Sequence, residues 1–437
     1  MLALRQLPYA NHYTYPSGTS LLDTISLYKL MAPRKSGRGT TKGESKGPKV
    51  NAPHSTARVP AKSKIVPVEL QQLLLNIFKN AFRENHNSKL SGLIQQTKQH
   101  LFNREFNNAF GSEDLREAYA MRWSPSRALA YTQIFYNLTS LTRRLVADCE
   151  GGFGNPDQSS IDQPQHALAD AQNSAEDAEA PRGKNHRIVC IGAGAGAEIV
   201  ALGGYLSLLS NRPVLDTQKA ISQDEEQDRT VSPQRVEITA IDIADWKSVV
   251  DRLQSNVTVA PPLSQYASAE ARAANNALIR SNAMVLNFVK QDVLNMVMDQ
   301  MPAIFADALL VTLMFTLNEL YTSSMSATTN LLLALTMLLP AGALLLVVDS
   351  PGSYSTVSVG KTSDANGQTT KNYPMQWLLD HTLLESAAIG SSKNASVEHQ
   401  WERLESHDSE WFRLPSELRY PIELEDMRYQ MHLYRRL

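Results

Sequence analysis

The chain has 437 residues, long enough for one large domain with accessory segments or for two domains. A hydrophobic content of 43% and a charged content of 20% are typical of a globular protein, and the net charge of −2 points to no particular partner. The two cysteines, Cys149 and Cys190, lack the spacing of metal ligands, which excludes a cysteine-based metal site and favours a reducing compartment.

The first 66 residues are predicted to form a disordered leader followed by a basic arm. Residues 1–30 do not have the basic and apolar segments of a secretory signal, and we expect Met31 to be the natural start. Residues 31–64 contain nine lysines and arginines and one acid, Glu44, among many Gly, Ser and Pro. Such an arm can attract nucleic acid or act as a nuclear address, although a plain solubilising tail has the same composition.

Residues 67–148 are predicted to form a helical N-terminal region. Apolar residues recur at intervals of three and four from Val68 to Phe82, and a similar segment follows at 90–110. The Ser124-Pro125 pair predicts the start of a further helix, because proline is favoured in a first helical turn.

Residues 187–437 are predicted to form an α/β domain that follows a flexible linker at 149–186 and carries a polar insertion at 211–234. Short apolar segments alternate with helical ones, a pattern that predicts a doubly wound, mostly parallel sheet. The last strand reads as an edge or antiparallel strand. The predicted strands are 188–191, 236–241, 287–294, one beginning at 308, 343–348 and 427–437.

The apolar stretch Leu331–Val348 has about the length of a membrane span. Pro340 and Gly342 interrupt it, and a helix end, a tight turn and a buried strand account for the same residues. No membrane segment is therefore expected.

The stretch IVCIGAGAGAEIVAL, residues 188–202, has the pattern of a strand, a glycine loop and a helix. Gly192, Gly194 and Gly196 would permit positive φ angles and a close approach of backbone N–H groups to a ligand. The loop matches the dinucleotide pattern G-x-G-x-x-(G/A), so alone it does not separate NAD from S-adenosylmethionine. Tight packing of the strand on the helix is an alternative reason for the small residues.

Acidic residues near the ends of three predicted strands favour S-adenosylmethionine. Glu198, in a first helical turn, suits the sulfonium and ammonium of that ligand better than a pyrophosphate, although it also complements the helix dipole. Asp242 can accept hydrogen bonds from both ribose hydroxyls, and Asp292 can accept one from the adenine amino group. Val293 and Thr312 complete the predicted cofactor-binding set. Each acid could instead be only a loop or helix cap.

Five blocks of the chain carry a resemblance to a known family: YAMRWSPSRALAY (119–131), CIGAGAGAEIVAL (190–202), LVTLMFTLNELY (310–321), VVDSPGSYS (347–355) and DMRYQMHLYRRL (426–437). In these blocks the chain resembles the fungal large-subunit (25S) ribosomal RNA uridine-N3 methyltransferases, which use S-adenosylmethionine. The resemblance extends over roughly residues 67–437.

The resemblance implies a class I (Rossmann-like) methyltransferase fold, in which a seven-stranded sheet has its last strand antiparallel. It also implies that the substrate is rRNA or a pre-ribosomal particle and that the protein lies in the nucleus or nucleolus, with the cytoplasm as an alternative. We expect a monomer that needs no metal.

The chain departs from the wider class I pattern at two positions. Many members have an acid two residues before the first glycine, where this chain has Cys190. Many amino-group methyltransferases have an Asn/Asp-Pro-Pro-Tyr loop after the fourth strand, where this chain reads Thr312-Leu313-Met314-Phe315. The absence of that loop fits an imide nitrogen better than an exocyclic amine.

The catalytic candidates follow the fourth strand. Uridine N3 must lose a weakly acidic proton before or during attack, so a general base or a hydrogen-bond donor to the flanking carbonyls would assist. Asn318 and Glu319 are the predicted catalytic residues, although capping or facing solvent is an equally open role for them, and Asp349 is a second candidate base.

Three further residues are predicted to contact the substrate. Arg122 and Trp123 could stack on or clamp a base or the cofactor, although Trp123 could instead anchor the N-terminal helices. Tyr354 is predicted to line the target pocket, which a base inside folded RNA would reach only after extrusion.

Two other functions stay open at the level of the sequence. A nicotinamide-dependent oxidoreductase would bind NAD instead of S-adenosylmethionine. A ribosome-assembly factor that retains the fold would bind the cofactor without transferring a methyl group to any RNA.

Overall fold

The computed structural model describes residues 64–82, 89–147, 186–210, 235–273, 275–352, 354–358, 370–385 and 399–437, and in them helices cover both faces of one large sheet. The predictions for residues 1–63, 149–185 and 211–234 lie outside the described residues. All described residues belong to one compact unit.

Helices fill the chain before the sheet: α1 Val68–Ala81, α2 Leu90–Phe102, α3 Phe106–Ala109, α4 Glu113–Asn137 and α5 Thr139–Ala147. The apolar stripe predicted for α1 is buried, and Leu74, Leu75 and Phe78 are completely inaccessible. The predicted segment 90–110 is divided between α2 and α3. Its break lies at Arg104, whose backbone is left-handed with φ of 58°.

The prediction that a new helix begins at Ser124-Pro125 was wrong, because α4 runs without interruption through Pro125. A proline has no N–H, so the carbonyl of Met121 four residues earlier loses its helical donor. The hydroxyl of Tyr420 donates to that carbonyl at 3.1 Å. A residue almost three hundred positions away therefore satisfies the acceptor that the proline leaves without a helical partner.

The large sheet has seven strands in the order β3-β2-β1-β4-β5-β9-β8. The first five are parallel, and β9 is antiparallel to both β5 and β8. This order confirms the expected class I methyltransferase sheet, which differs from an all-parallel dinucleotide-binding sheet in its antiparallel strand. The strands are β1 His186–Ile191, β2 Val236–Asp242, β3 Met284–Lys290, β4 Ala308–Met314, β5 Leu344–Asp349, β8 Trp401–Phe412 and β9 Met427–Arg436.

The remaining helices and a small hairpin connect these strands. The helices are α6 Ala197–Ser210, α7 Lys247–Thr258, α8 Ala269–Ala273, α9 Met301–Phe305, α10 Leu317–Ser323, α11 Met325–Leu338 and α12 Met375–Asp380. The hairpin pairs β6 Tyr354–Ser358 with β7 Thr370–Pro374.

Alternate residues of the buried strands belong to two hydrophobic cores. Leu310 and Met314 of β4 pack in the core that contains the N-terminal helices with α6 and α7. Val311 and Leu313 pack in the other core, which contains α9 to α12. The N-terminal helices therefore cover part of one face of the large sheet.

The apolar stretch Leu331–Val348 is a helix, a turn and a strand, as the sequence predicts. Helix α11 ends at Leu338, Gly342 turns the chain with φ of 83°, and β5 begins at Leu344. Within the described ranges, the structure contains no helix with the length and apolarity that a bilayer crossing requires.

Candidate active site

The carboxyl ends of the parallel strands meet at one edge of the sheet, where ligands of such folds bind. The glycine loop follows β1, Asp242 ends β2, Phe315 follows β4 and Asp349 ends β5. The backbone N–H of Gln291, just after β3, donates to the Asp242 carbonyl at 2.8 Å and holds the end of β3 beside that of β2. Most of the predicted site residues lie along this edge.

The three loop glycines are closely packed by side chains from neighbouring elements. A Cβ on Gly192 would lie 2.3 Å from Thr316 Oγ1, one on Gly194 2.0 Å from Trp246 Cδ1, and one on Gly196 2.0 Å from Leu253 Cδ1. Gly192 and Gly196 also have positive φ angles of 79° and 83°. Close packing therefore accounts for each glycine, and contact with a cofactor stays a prediction.

Asp242 joins the glycine loop after β1 to the turn after β2. Its carboxylate accepts hydrogen bonds from the N–H groups of Gly194 and Ala244, both at 3.1 Å. Burial raises the pKa of Asp242, and these two backbone donors oppose the shift. The next side chain, Ile243, is 58% exposed at the same edge. An exposed isoleucine beside the acid offers an apolar contact to a nucleoside, which the sequence analysis missed.

Glu198 is a buried carboxyl group with incomplete hydrogen bonding. Its side chain is 3% exposed, and its Oε1 atom has no hydrogen-bond partner among the described residues. Burial raises its pKa to about 8; nearby Arg127 opposes this shift and Asp242 adds to it. A ligand ammonium would supply the missing donor, so this position fits S-adenosylmethionine.

Asp292 caps a short turn at the end of β3. Its Oδ1 accepts from the N–H of Leu294 at 3.0 Å and its Oδ2 from the Asn295 amide at 2.6 Å. Val293 beside it is buried. Thr312 is completely buried inside β4, opposite Cys190 of β1, and does not reach the end of its strand. Asp292 therefore has an edge position and Thr312 an interior one.

The catalytic candidates Asn318 and Glu319 lie in the first turn of α10. The N–H of Asn318 donates to Asp349 Oδ2 at 3.1 Å, and the N–H of Ser350 donates to Asp349 Oδ1 at 2.7 Å. Burial raises the pKa of Asp349 to about 6 against these donors. Glu319 is half-exposed, and its carboxylate lies 3.9 Å from Arg104 Nη1. Asp349 therefore links the loops after β4 and β5.

The predicted substrate residues lie on α4 and at the start of β6. Arg122 is buried and forms an ion pair with Glu425. Trp123 is half-buried, with its ring centroid 4.9 Å from that of Tyr119. Tyr354 begins β6, and its side chain lies outside the described part of the chain. A contact of these residues with substrate stays a prediction.

Helix α4 also touches the glycine loop directly. The hydroxyl of Ser124 donates to the carbonyl of Ala195 at 2.7 Å. Trp246 extends the same contact region, because its ring lies 5.1 Å from Phe110 and 5.9 Å from Tyr119. The block YAMRWSPSRALAY (119–131) of α4 thus contacts and supports the glycine loop.

Phe315 and Arg127 are two further residues of this region that were not predicted as site residues from the sequence. Phe315 follows β4 with φ of 58°, and its N–H donates to the carbonyl of Val348 at 2.7 Å. A left-handed backbone at a bulky residue costs about 1–3 kcal/mol and is most often found at functional sites. The Arg127 guanidinium lies 4.9 Å from the centre of the Phe315 ring. Arg127 stands in a block that the sequence analysis quoted, whereas no sequence signal marks the strain at Phe315.

The described residues include no group of three or more His, Cys, Asp and Glu side chains that could hold a metal ion. The carboxylates of Asp242 and Asp349 at this edge each accept hydrogen bonds from two backbone N–H groups.

Comparisons with known proteins agree with this geometry. A family model described as "Putative SAM-dependent methyltransferase" matches residues 78–435. A 25S rRNA (uridine(2843)-N(3))-methyltransferase of Saccharomyces cerevisiae is 30% identical over 392 residues, which cover 87% of this chain and 89% of that protein.

Solved structures are much more distant. A SAM-dependent methyltransferase from Methanosarcina mazei is 10% identical with a TM-score of 0.29, covering 58% of this chain and 93% of that one. A variant 16S rRNA (adenine(1408)-N(1))-methyltransferase from Catenulisporales acidiphilia is 8% identical with a TM-score of 0.27, covering 58% and 85%. These TM-scores are too low to support an inference, so the fold assignment rests on the strand order.

Proposed function

The chain belongs to this family of S-adenosylmethionine-dependent methyltransferases, and on that premise we propose that it methylates N3 of a uridine in large-subunit ribosomal RNA. The methyl donor is S-adenosylmethionine. The observation that carries the choice of substrate is the 30% identity to the yeast 25S rRNA uridine-N3 methyltransferase over almost the whole of both chains.

The sheet edge supports a role for the chain's carboxylates in holding the donor. S-adenosylmethionine, when bound, supplies an electrophilic methyl group on a sulfonium. We propose that Glu198 accepts a hydrogen bond from its ammonium, because Oε1 of this buried carboxyl has no other described partner. Asp242 would accept from the ribose hydroxyls, and Asp292 with Val293 and Ile243 would contact the adenine. The carboxylate of Asp242 can accept from the hydroxyls while it keeps both backbone donors, since each of its oxygens accepts only one of them and can accept a second hydrogen bond.

The target base would lie beside the loops after β4 and β5. Uridine N3 carries a proton that must leave, and the N3 lone pair then attacks the methyl carbon while the carbon–sulfur bond breaks. Asn318 and Glu319 lie next to this position and are the proposed hydrogen-bonding or proton-accepting groups. Asp349 is engaged by two backbone N–H groups, and we assign it the role of holding the two loops together.

We further propose that the protein acts on rRNA or a pre-ribosomal particle in the nucleus or nucleolus, as a monomer. The relative's named substrate, 25S rRNA, supports this location. The basic composition of residues 31–64 is suited to contact with nucleic acid.

Mass spectrometry of rRNA nucleosides from a strain that lacks the gene tests the substrate. We expect N3-methyluridine in large-subunit rRNA to fall, and re-expression of the wild-type chain to restore it. Unchanged N3-methyluridine would refute the proposal. If ribosome assembly were impaired at the same time, that result would favour a non-catalytic assembly factor.

A further inference from the structure

Arg127 places a fixed positive charge at the end of β4, where the target base is proposed to lie. We infer that Arg127 is a catalytic residue that stabilises the negative charge on the uracil carbonyl oxygens when N3 gives up its proton. This inference rests on the proposed function, because only an imide substrate such as uridine spreads this charge onto two carbonyl oxygens.

The guanidinium is positioned by aromatic groups. It lies 4.9 Å from the centre of the Phe315 ring, and its Nη1 donates to the Tyr119 hydroxyl at 2.7 Å. The Phe315 ring is stacked on Tyr131, with 6.4 Å between centroids and an angle of 29° between planes. Since Phe315 is held in a left-handed conformation by its hydrogen bond to Val348, the ring that carries the guanidinium has a defined place at the sheet edge.

The charge of Arg127 is poorly compensated in comparison with neighbouring arginines. Arg122 is paired with Glu425 and Arg252 with Glu117. Arg127 forms no ion pair with any carboxylate of the described residues, and its hydrogen-bond partner is a phenol. A cation without a carboxylate partner retains donors and charge for a developing anion.

The titratable groups around Arg127 come from three elements. Tyr119 and Tyr131 lie on α4, Glu198 on α6 and Asp349 at the end of β5. Burial alone would lower the pKa of Arg127, but the tyrosines and Glu198 raise it, so the side chain stays protonated. When the cofactor is bound, the Glu198 carboxylate is proposed to pair with its ammonium. Asp349 accepts from two backbone N–H groups, and among the described residues neither acid forms an ion pair with Arg127.

The step is balanced without a further reactant. The N3–H bond breaks and its proton passes to water, directly or through Glu319, which leaves the electron pair on N3 and its charge shared with O2 and O4. That pair forms the N3–CH3 bond while the electrons of the broken carbon–sulfur bond stay on sulfur. The products are N3-methyluridine, S-adenosylhomocysteine and one proton. Arg127 lowers the barrier by making N3 more acidic in the bound state, so a strong general base is not required.

The alternative is that Arg127 only supports Phe315 through its cation–π contact. The two roles differ in how the reaction depends on the acidity of N3. A charge-stabilising residue becomes less necessary when the substrate proton is more acidic, whereas a supporting residue matters equally for every substrate.

The experiment compares the single-turnover rates of wild type, Arg127→Gln and Arg127→Lys across pH on RNA containing uridine or 5-fluorouridine, whose N3–H is more acidic. For Arg127→Gln on uridine we expect a loss of about 10²–10³-fold and a pH profile displaced to higher pH. Most of the rate should return with 5-fluorouridine, and Arg127→Lys should lie between. Arg187 lies near the start of β1, at the opposite end of that strand from the glycine loop. Arg187→Gln is therefore the matched control and should behave like wild type.

Calorimetry with S-adenosylmethionine and thermal melts accompany the rates, which are measured at saturating cofactor because loss of Arg127 also raises the pKa of Glu198. An equal loss on both substrates with an undisplaced pH profile would overturn the inference. If Arg127→Gln does not fold, an undisplaced profile in Arg127→Lys overturns it. Absence of N3-methyluridine from the wild-type reaction would instead refute the proposed function.

Discussion

The glycines after β1 occupy positions where the side chains of other elements leave no room. Thr316, Trp246 and Leu253 each lie within 2.3 Å of the place where a loop Cβ would stand. Trp246 also contacts Phe110 and Tyr119 of the N-terminal region. The loop is therefore shaped by packing from several elements, and a ligand would bind to a surface that this packing has already formed.

Gly194→Ala is expected to reduce stability and cofactor affinity together. The added Cβ would lie 2.0 Å from Trp246 Cδ1, so the indole must move. Overpacking of this kind costs about 1–3 kcal/mol of the free energy of unfolding. Denaturant unfolding and calorimetry with S-adenosylmethionine measure the two effects.

Gly92→Ala is the control for that change. Gly92 lies in α2, and a Cβ there would meet nothing within 4 Å. This variant should gain about 0.5–1 kcal/mol of stability from helix propensity and bind the cofactor normally. The packing explanation fails if Gly194→Ala is as stable as Gly92→Ala.

Glu198 should make cofactor binding depend on pH. Its pKa of about 8 means that the carboxyl is mostly protonated at pH 7, whereas an ammonium ligand favours the ionised form. Affinity for S-adenosylmethionine should therefore rise between pH 6 and pH 8, by at most about tenfold per unit, with release of a proton on binding. Calorimetry in two buffers of different ionisation enthalpy counts that proton.

Glu198→Gln is the matching variant, since it keeps the shape and removes the titration. Its cofactor affinity should be lower and should no longer rise between pH 6 and pH 8. If the affinity of the wild type for S-adenosylmethionine does not rise between pH 6 and pH 8, Glu198 does not bind the ammonium.

The raised pKa of Glu198 also affects the stability of the wild type. A raised carboxyl pKa favours the folded state at low pH, and this contribution is lost as pH rises from about 4.5 to about 8.

At the scale of elements, the sequence predicted the buried strands well and the exposed ones poorly. Strands β1, β2, β4 and β5 are rich in apolar residues because most of their side chains are buried, and their predicted positions agree within about two residues. The third strand, predicted at 287–294, lies three residues earlier because its side chains are mostly half-exposed. Strand β8 is largely exposed, so no apolar pattern marks it.

Some features of the site could also be predicted from local sequence, and others could not. Asp242, Asp292 and Asp349 follow strands, and the sequence alone indicated that they meet at one edge. The left-handed backbone at Phe315 and the contact of Arg127 with its ring depend on tertiary packing, which local sequence does not encode.

Helix α4 continues through Pro125 because Tyr420 supplies the missing donor to Met121. Tyr420→Phe should leave that carbonyl without its donor and cost about 1–3 kcal/mol of the free energy of unfolding. In a Pro125→Ala background, the alanine brings its own backbone N–H to the helix, so the same change should cost less. Denaturant unfolding of the double-mutant cycle measures the difference.

Tyr266→Phe, at a side chain that is 87% exposed, is the control and should change stability little. Equal costs of Tyr420→Phe with and without Pro125 would show that the tyrosine does not replace the helical donor.

At the scale of the whole molecule, the N-terminal helices and the C-terminal strands meet around the catalytic edge. Ser124 of α4 bonds to the glycine loop, and Arg122 and Tyr420 join the same helix to the chain between β8 and β9. Helix α4 therefore joins the glycine loop to the segment that leads into β9.

The most direct measurement is nucleoside mass spectrometry after incubation of the purified protein with S-adenosylmethionine and large-subunit rRNA that lacks the modification. The account predicts that N3-methyluridine forms in proportion to S-adenosylhomocysteine, and that Asp242→Asn, which alters the proposed ribose contact, slows its formation at limiting cofactor. Cofactor bound without methyl transfer, or a methyl group found on any other atom, would contradict the account.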